Sequence, residues 1–247
     1  SLMNSRGREW LLRHWDFPLF QSMMVRRRIH LHNACVLEAG CGSGYSTLMI
    51  SEMFQPQWLD AFDIEPGQIE RAKGRQLAAR FFAADVTDTG LSPRSYEAVF
   101  ACGVLHHCPE WRAGLAELAR LLKYGGLLFL EEPTRPFVRF ESLIIGRTPA
   151  NEAWSGFREV RKEIAQVGLG IAEERALYFG LFRSVMCVKM KERQDFEAAV
   201  IPLLARSEED EGPVLAHGVH RRPDCLERDS QRCELRRPRS ARLRECR

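Results

Sequence analysis

No stretch of the chain approaches the ~20 consecutive apolar residues of a membrane-spanning helix, and the N-terminus has no short apolar core of the kind that directs secretion. No membrane span is expected, and the cytoplasm is the expected compartment. The eight cysteines contain no C-x-x-C pair, so the paired spacings of a zinc site are missing. Cys35, Cys41, Cys102 and Cys187 fall in or beside expected core strands, where a reduced cysteine behaves as a small hydrophobe. That fits a reducing compartment. Aromatics stop at Phe196 and lysines at Lys191, and from Ser207 the chain is rich in Arg, Glu, Pro and Cys. Such a segment can bury little apolar surface, so 207–247 is expected to be a disordered, Arg-rich tail. The net charge of +3 comes from the last part of it: His220 to Arg247 hold ten Arg against five acids, which leaves residues 1–219 at −2. A body without excess positive charge argues against a nucleic-acid substrate gripped by its phosphates.

What is present suits one α/β domain with appended segments: 247 residues, 45% hydrophobic and 28% charged. The chain is organised around Val36-Leu37-Glu38-Ala39-Gly40-Cys41-Gly42-Ser43-Gly44-Tyr45. An apolar run opens it, three alternate glycines close it, and Ser46 to Phe54 continue at helical spacing. A buried strand turning sharply into a helix is expected, with backbone N–H groups open to a close-lying ligand. The dinucleotide pattern G-x-G-x-x-G is absent, because Gly44 comes one residue early. Nineteen residues after Gly44, the strand-like run Trp58 to Asp63 ends in a carboxylate placed to accept both hydroxyls of a ribose. Phe81 to Asp85 reads as a third strand, Tyr96 to Cys102 as a fourth that runs into Gly103-Val104-Leu105-His106-His107, and Leu127 to Leu130 as a fifth.

This ordered set resembles the class I S-adenosylmethionine-dependent methyltransferases, especially the small-molecule branch, over roughly residues 30–190. The resemblance implies an α/β, Rossmann-like, seven-stranded and mostly parallel sheet of order 3-2-1-4-5-7-6, strand seven antiparallel, with helices on both faces. It also implies S-adenosyl-L-methionine as the cofactor. Glu38 and the backbone of Gly40, Cys41, Gly42 and Gly44 would hold the amino-acid end, and Asp63 with its neighbour Ile64 the ribose. Asp85 would accept from the adenine amino group, the Val86 N–H would meet a ring nitrogen, and the backbone at Ala101 to Gly103 would line the methionine. Local structural roles compete with these: Glu38 capping the helix at Ser43, Asp85 starting a turn.

In order, residues 1–31 are expected to be a helical segment covering the cofactor site, split by Pro18, and 32–192 the methyltransferase domain. Arg26-Arg27-Arg28 would close a helix rather than clamp phosphate. Glu65-Pro66 opens a helix with buried Ile69, Ala72 and Leu77; Thr87 to Ser95 is a loop; and Pro109 to Tyr124 is a helix ended by Gly125. Glu131 to Ala150 is expected to be a substrate lid before a helix from about Glu152 to Gln166. Ile171 to Tyr178 and Phe182 to Lys189, joined at Gly180, form a hairpin, and 193–206 a short helix.

The acceptor is expected to be a small organic molecule methylated on N, O or C. The Asn/Asp-Pro-Pro-aromatic tetrad that the family uses for planar amino groups is replaced by Ala101-Cys102-Gly103-Val104. A general base is needed only if the nucleophile still carries a proton. Of the two adjacent histidines, His106 is expected to face the pocket as the candidate catalytic base, and His107 to brace the helix start. Cys102, His106, His107 and Cys108 crowd into seven residues without zinc-type spacing, so no metal is expected. A non-catalytic S-adenosylmethionine-binding module and an NAD-linked oxidoreductase remain as the other readings.

Overall fold

Successive side chains of a strand face opposite sides of a sheet, and the central strands of this chain are apolar on both. The structure, a computed structural model, describes residues 6–139 and 156–191. Its strands are β1 (Cys35–Ala39), β2 (Trp58–Asp63), β3 (Arg80–Ala83), β4 (Tyr96–Cys102), β5 (Leu122–Pro133), β6 (Leu169–Leu177) and β7 (Phe182–Lys189). Leu37, Val99, Leu128, Leu130, Val185 and Cys187 point into one buried cluster, and Val36, Phe100, Phe129, Met186 and Val188 into the other. The seven strands form one sheet in the order β3-β2-β1-β4-β5-β7-β6. The first five are mutually parallel, and β7 runs antiparallel between β5 and β6. This is the architecture expected from the sequence.

The helices are α1 (Arg6–Leu11), α2 (Phe17–Val25), α3 (Tyr45–Phe54), α4 (Pro66–Lys73), α5 (Trp111–Leu121) and α6 (Phe157–Gln166). Trp111, Leu115 and Leu118 of α5 and Val160 and Ile164 of α6 cover one face; Phe20 and Met23 of α2 and Met49 and Ile50 of α3 cover the other. The second face is built round an aromatic stack. Phe100 lies 4.6 Å from Phe129, its partner on the next strand, and 5.3 Å from Phe54, both nearly parallel to it.

Three expectations change in detail. The N-terminal segment holds two α-helices, as expected, but the break between them is not at Pro18 itself. That proline sits in the first turn of α2, directly after a π-helical segment, Leu12–Asp16, in which the Phe17 N–H donates to the Leu12 carbonyl. The widened turn meets the two demands of a proline, a missing donor and a clash with the carbonyl four residues back. The α5 helix stops at Leu121 rather than Tyr124, because Leu122 already pairs with Tyr96 and Lys123 binds Glu97. Third, β3 ends at Ala83, so Asp85 lies beyond it in a turn closed by the Asp88 N–H on the Asp85 carbonyl. The helix expected over 193–206, the tail from 207, and residues 140–155 of the expected lid segment and helix start lie outside the described residues.

The Phe100→Ala variant is expected to lose about 3–5 kcal/mol of stability, since a fully buried ring leaves a cavity among rigid neighbours. Urea unfolding against the parent protein measures it, and a loss below ~1 kcal/mol would show that the stack closes over the gap.

Candidate functional site

The loop after β1 is shaped by glycine and by one carboxylate. Gly40 has φ +67°, and a Cβ there would fall 2.4 Å from Cγ2 of Val104. Gly44 starts α3 at φ +79°, where a Cβ would come within 3.0 Å of Ala72. No other residue type fits either place without strain. Asp63, at the end of β2, accepts the Gly42 N–H on one oxygen and the Glu65 N–H on the other, each at 2.9 Å. Arg75 Nε donates to the Ser43 carbonyl at 2.6 Å and closes the loop from outside. In the turn after β3, Asp85 Oδ1 accepts both the backbone N–H and the hydroxyl of Thr87 at 2.8 Å.

These elements surround a cavity of about 430 Å³ at the C-terminal ends of β1 to β4. Open α/β sheets bind ligands along that crevice. Of the residues expected at the site, Gly40, Cys41, Gly42, Asp63, Ile64, Asp85 and Val86 line the cavity. Gly44 shapes the loop without lining it. Ala101 is buried inside β4, and the backbone that reaches the wall is that of Cys102 to Val104.

Glu38 does not line the cavity. It is 3% exposed and receives the hydroxyls of Thr47 and Ser46 at the start of α3. Burial pushes its pKa up to about 7, with nearby Asp63 adding to the rise against those hydroxyl bonds. Its place is beneath the loop, pinning α3 to β1.

The two histidines are the reverse of the expectation. His106 is 8% exposed, with Nδ1 2.7 Å from Glu132 Oε2, whereas His107 lines the cavity. Glu132 explains the choice. Fully buried on β5, its carboxylate also accepts the backbone N–H groups of Val104, Leu105 and His106, so the turn after β4 is wound onto it and the His106 ring is drawn in behind. The rings of His106 and His107 lie 3.8 Å apart. Partial shielding and the His106 ring together lower the pKa of His107 to about 4, with Glu132 opposing, so it is neutral at pH 7. Among the described residues, no group of three His, Cys, Asp or Glu side chains is placed to hold a metal.

One cluster was not anticipated from the sequence. Arg8 of α1 lines the cavity and binds Asp16 Oδ2 at 2.7 Å and Glu131 Oε1 at 3.0 Å. Both carboxylates are fully buried; Tyr178 donates to Asp16, and Ser184 to Glu131 at 3.4 Å. Burial raises the pKa of both acids, Asp16 adds to the rise of Glu131, and Arg8 opposes it in each. Burial alone would lower the pKa of Arg8, but Glu131 and Asp16 outweigh it and the guanidinium stays charged. The one sequence signal was Glu131-Glu132 directly after the buried run Leu127 to Leu130, at the end of a central strand. Arg26 and Arg27, by contrast, bind Glu173 on β6 and are not part of the cavity wall.

A sheet in this order, with a glycine loop after β1 and carboxylates following β2 and β3 into one crevice, is the arrangement of the class I S-adenosylmethionine-dependent methyltransferases, the family that this chain is similar to. Residues 36–126 match the family described as "Methyltransferase domain". Over 93 residues, 38% of this chain and 36% of the relative, it is 32% identical to malonyl-[acyl-carrier protein] O-methyltransferase of Serratia marcescens. Its fold is similar to a chain in the complex between the Haloferax volcanii Trm112 methyltransferase activator and a methyltransferase. That match has a TM-score of 0.60 and 17% identity, covering 76% of this chain and 96% of that one. It is also similar to magnesium protoporphyrin IX methyltransferase from Synechocystis with bound S-adenosylhomocysteine. There the TM-score is 0.54 and the identity 20%, covering 70% of this chain and 81% of that one. At such identities the two structures show the fold alone. The chain spans about a third of the length of the curated relatives it matches first, 30% and 36%.

S-adenosylmethionine is the cofactor of this family, and the cavity suits it. Its volume lies within the ~300–1,000 Å³ of small-molecule sites, and Asp63 and Asp85, carboxylates that could accept from hydroxyl and amino groups, line it together with Glu65 and Glu110.

The Asp63→Ala variant is expected to bind S-adenosylhomocysteine more weakly by about 1–3 kcal/mol. It should also melt lower than the parent, because Asp63 itself holds the Gly42 and Glu65 amides. Asp63→Asn, which retains an acceptor, should keep more of the stability than of the affinity. Calorimetry with thermal melts separates the two effects; an unchanged affinity in both variants would move the ribose contact elsewhere.

Proposed function

We propose that the chain transfers a methyl group from S-adenosylmethionine to a small organic acceptor. The observation that carries this reading is the cavity in which the glycine loop, Asp63, Asp85 and His107 meet at the ends of neighbouring strands. When bound, the cofactor supplies a methyl carbon already activated by its sulfonium. Asp63 and the backbone of Gly40 to Gly42 orient the ribose, and Asp85 with the Val86 N–H orients the adenine. Because Asp63 and Asp85 are already fixed by backbone donors, they need not reorganise as the ligand enters.

The N-terminal segment covers the cofactor site through Arg8 and Leu12, and its apolar side helps exclude water. Positioning and water exclusion are the main things a methyl transfer asks of a protein, and they can supply up to ~7–11 kcal/mol of the barrier. A neutral His107 in the wall suits a hydrogen bond that orients the acceptor better than it suits proton removal, for which a pKa near the working pH is preferred. His106 acts as a positioning residue behind it, held by Glu132.

The protein is expected to bind S-adenosylhomocysteine and not NADH, because the loop offers a nucleoside site without the dinucleotide pattern. Tighter binding of NADH in calorimetry would sink the reading. With radiolabelled S-adenosylmethionine and a metabolite extract, label should pass to an extractable small molecule. His107→Ala should slow that transfer by roughly tenfold or more at unchanged cofactor affinity. His106→Ala should instead lower the melting temperature by leaving the Glu132 carboxylate short of a partner.

A further inference from the structure

Asp85 and Val86 lie at the β3 end of the cavity, and Cys102 and Gly103 at its β4 end. Arg8 belongs to this second end, since it reaches across to Glu131 on β5. Its side chain is 12% exposed, part of the cavity wall, and held from behind by two fully buried carboxylates on different elements. A surface arginine paired for solubility would have none of these features. A planar fork of N–H donors held rigidly at a cavity wall matches the two oxygens of a carboxylate.

Resting on the cofactor reading above, we propose that Arg8 is the carboxylate-binding residue of this cavity, and that Asp16, Glu131 and Tyr178 are positioning residues that aim its guanidinium. The carboxylate is that of the cofactor's amino-acid end or one carried by the acceptor. Two ionised acids against one guanidinium would leave the cluster at −1 and repel such a ligand. The groups facing Glu131 are Arg8 and Asp16 from the N-terminal segment, Tyr178, Ser184 on β7, Cys102 on β4 and the adjacent Glu132. Among them only Arg8 favours its ionised form by charge, while burial and Asp16 disfavour it. The pair therefore keeps one proton at neutral pH, and the cluster accepts an anion. As the pH rises and that proton leaves, the cluster turns negative and its hold on a carboxylate weakens.

The test compares S-adenosylhomocysteine with 5′-methylthioadenosine, which has the same nucleoside and thioether but no amino-acid end. If the carboxylate is the cofactor's, the preference of the parent protein for S-adenosylhomocysteine should drop by about tenfold or more in both Arg8→Lys and Arg8→Gln, with methylthioadenosine affinity held within about twofold. It should also weaken between about pH 6.5 and 8.5 in the parent and not in Glu131→Gln. If the carboxylate is the acceptor's, that preference stays, and acetate should bind the parent saturated with S-adenosylhomocysteine but not the Arg8 variants. The proposal is overturned if the preference survives both substitutions and acetate does not bind the saturated parent. Should both variants lose methylthioadenosine as well, the parent alone decides: neither the preference nor acetate affinity falling with rising pH also overturns it. A parent protein that binds neither nucleoside refutes the cofactor reading itself.

Discussion

Two adjacent carboxylates at the end of β5 hold the working end of the molecule together. Glu131 and Glu132 are both fully buried, and strand geometry sends them to opposite faces of the sheet. Glu132 gathers three backbone amides and the His106 ring, and so sets the path of the chain leaving β4. Glu131 receives Arg8 and Ser184, and so ties the N-terminal segment to the sheet. Removing one partner from a buried charged group costs about 3–5 kcal/mol, far more than a surface pair is worth. Two walls of the cavity therefore hang from neighbouring residues of one strand.

The other walls depend on acids that serve the backbone before they serve any ligand. Asp63 splices the glycine loop to the start of α4, and Asp85 folds its own turn. Glu38 lies beneath them as a peg for α3. Local roles of the kind weighed for Glu38 and Asp85 are thus present in all three cases. On Asp63 and Asp85 the local bonds leave a carboxylate with lone pairs enough to accept further donors from the cavity. Glu38, buried beneath the loop, makes the local bonds to Thr47 and Ser46 and does not line the cavity.

How much of this could be read in the sequence follows from the range of the forces involved. The strands, the glycine loop and the strand-end acids are written in short runs, where periodicity and a few special residues carry the information, whereas the strand order followed from the resemblance to the family. The histidine assignment failed because it rested on distance along the chain, while the deciding partner, Glu132, is 26 residues further on. Arg8 and Asp16 fall in the expected N-terminal helical segment, where nothing in the neighbouring sequence marks them. Only the folded chain brings them to Glu131 and Tyr178, the latter 162 residues beyond Asp16. Local spacing also missed the end of α5, where pairing of Leu122 with Tyr96 overrides the helical tendency of Lys123 and Tyr124.

The wide turn at Leu12–Asp16 bears on which insertions and deletions the N-terminal segment can tolerate. Each residue of an α-helix advances the chain by about 100° around its axis. Deleting one residue from the π segment would remove the widened turn that accommodates Pro18 and leave a helix strained at that proline. It would also turn everything upstream by about that angle relative to Phe17 and Phe20, which are anchored in the core. Arg8 would then leave the cavity wall while the fold below stayed intact. The extra residue is the register shim that lets one continuous helical run bury its aromatics on one side and present its guanidinium on another.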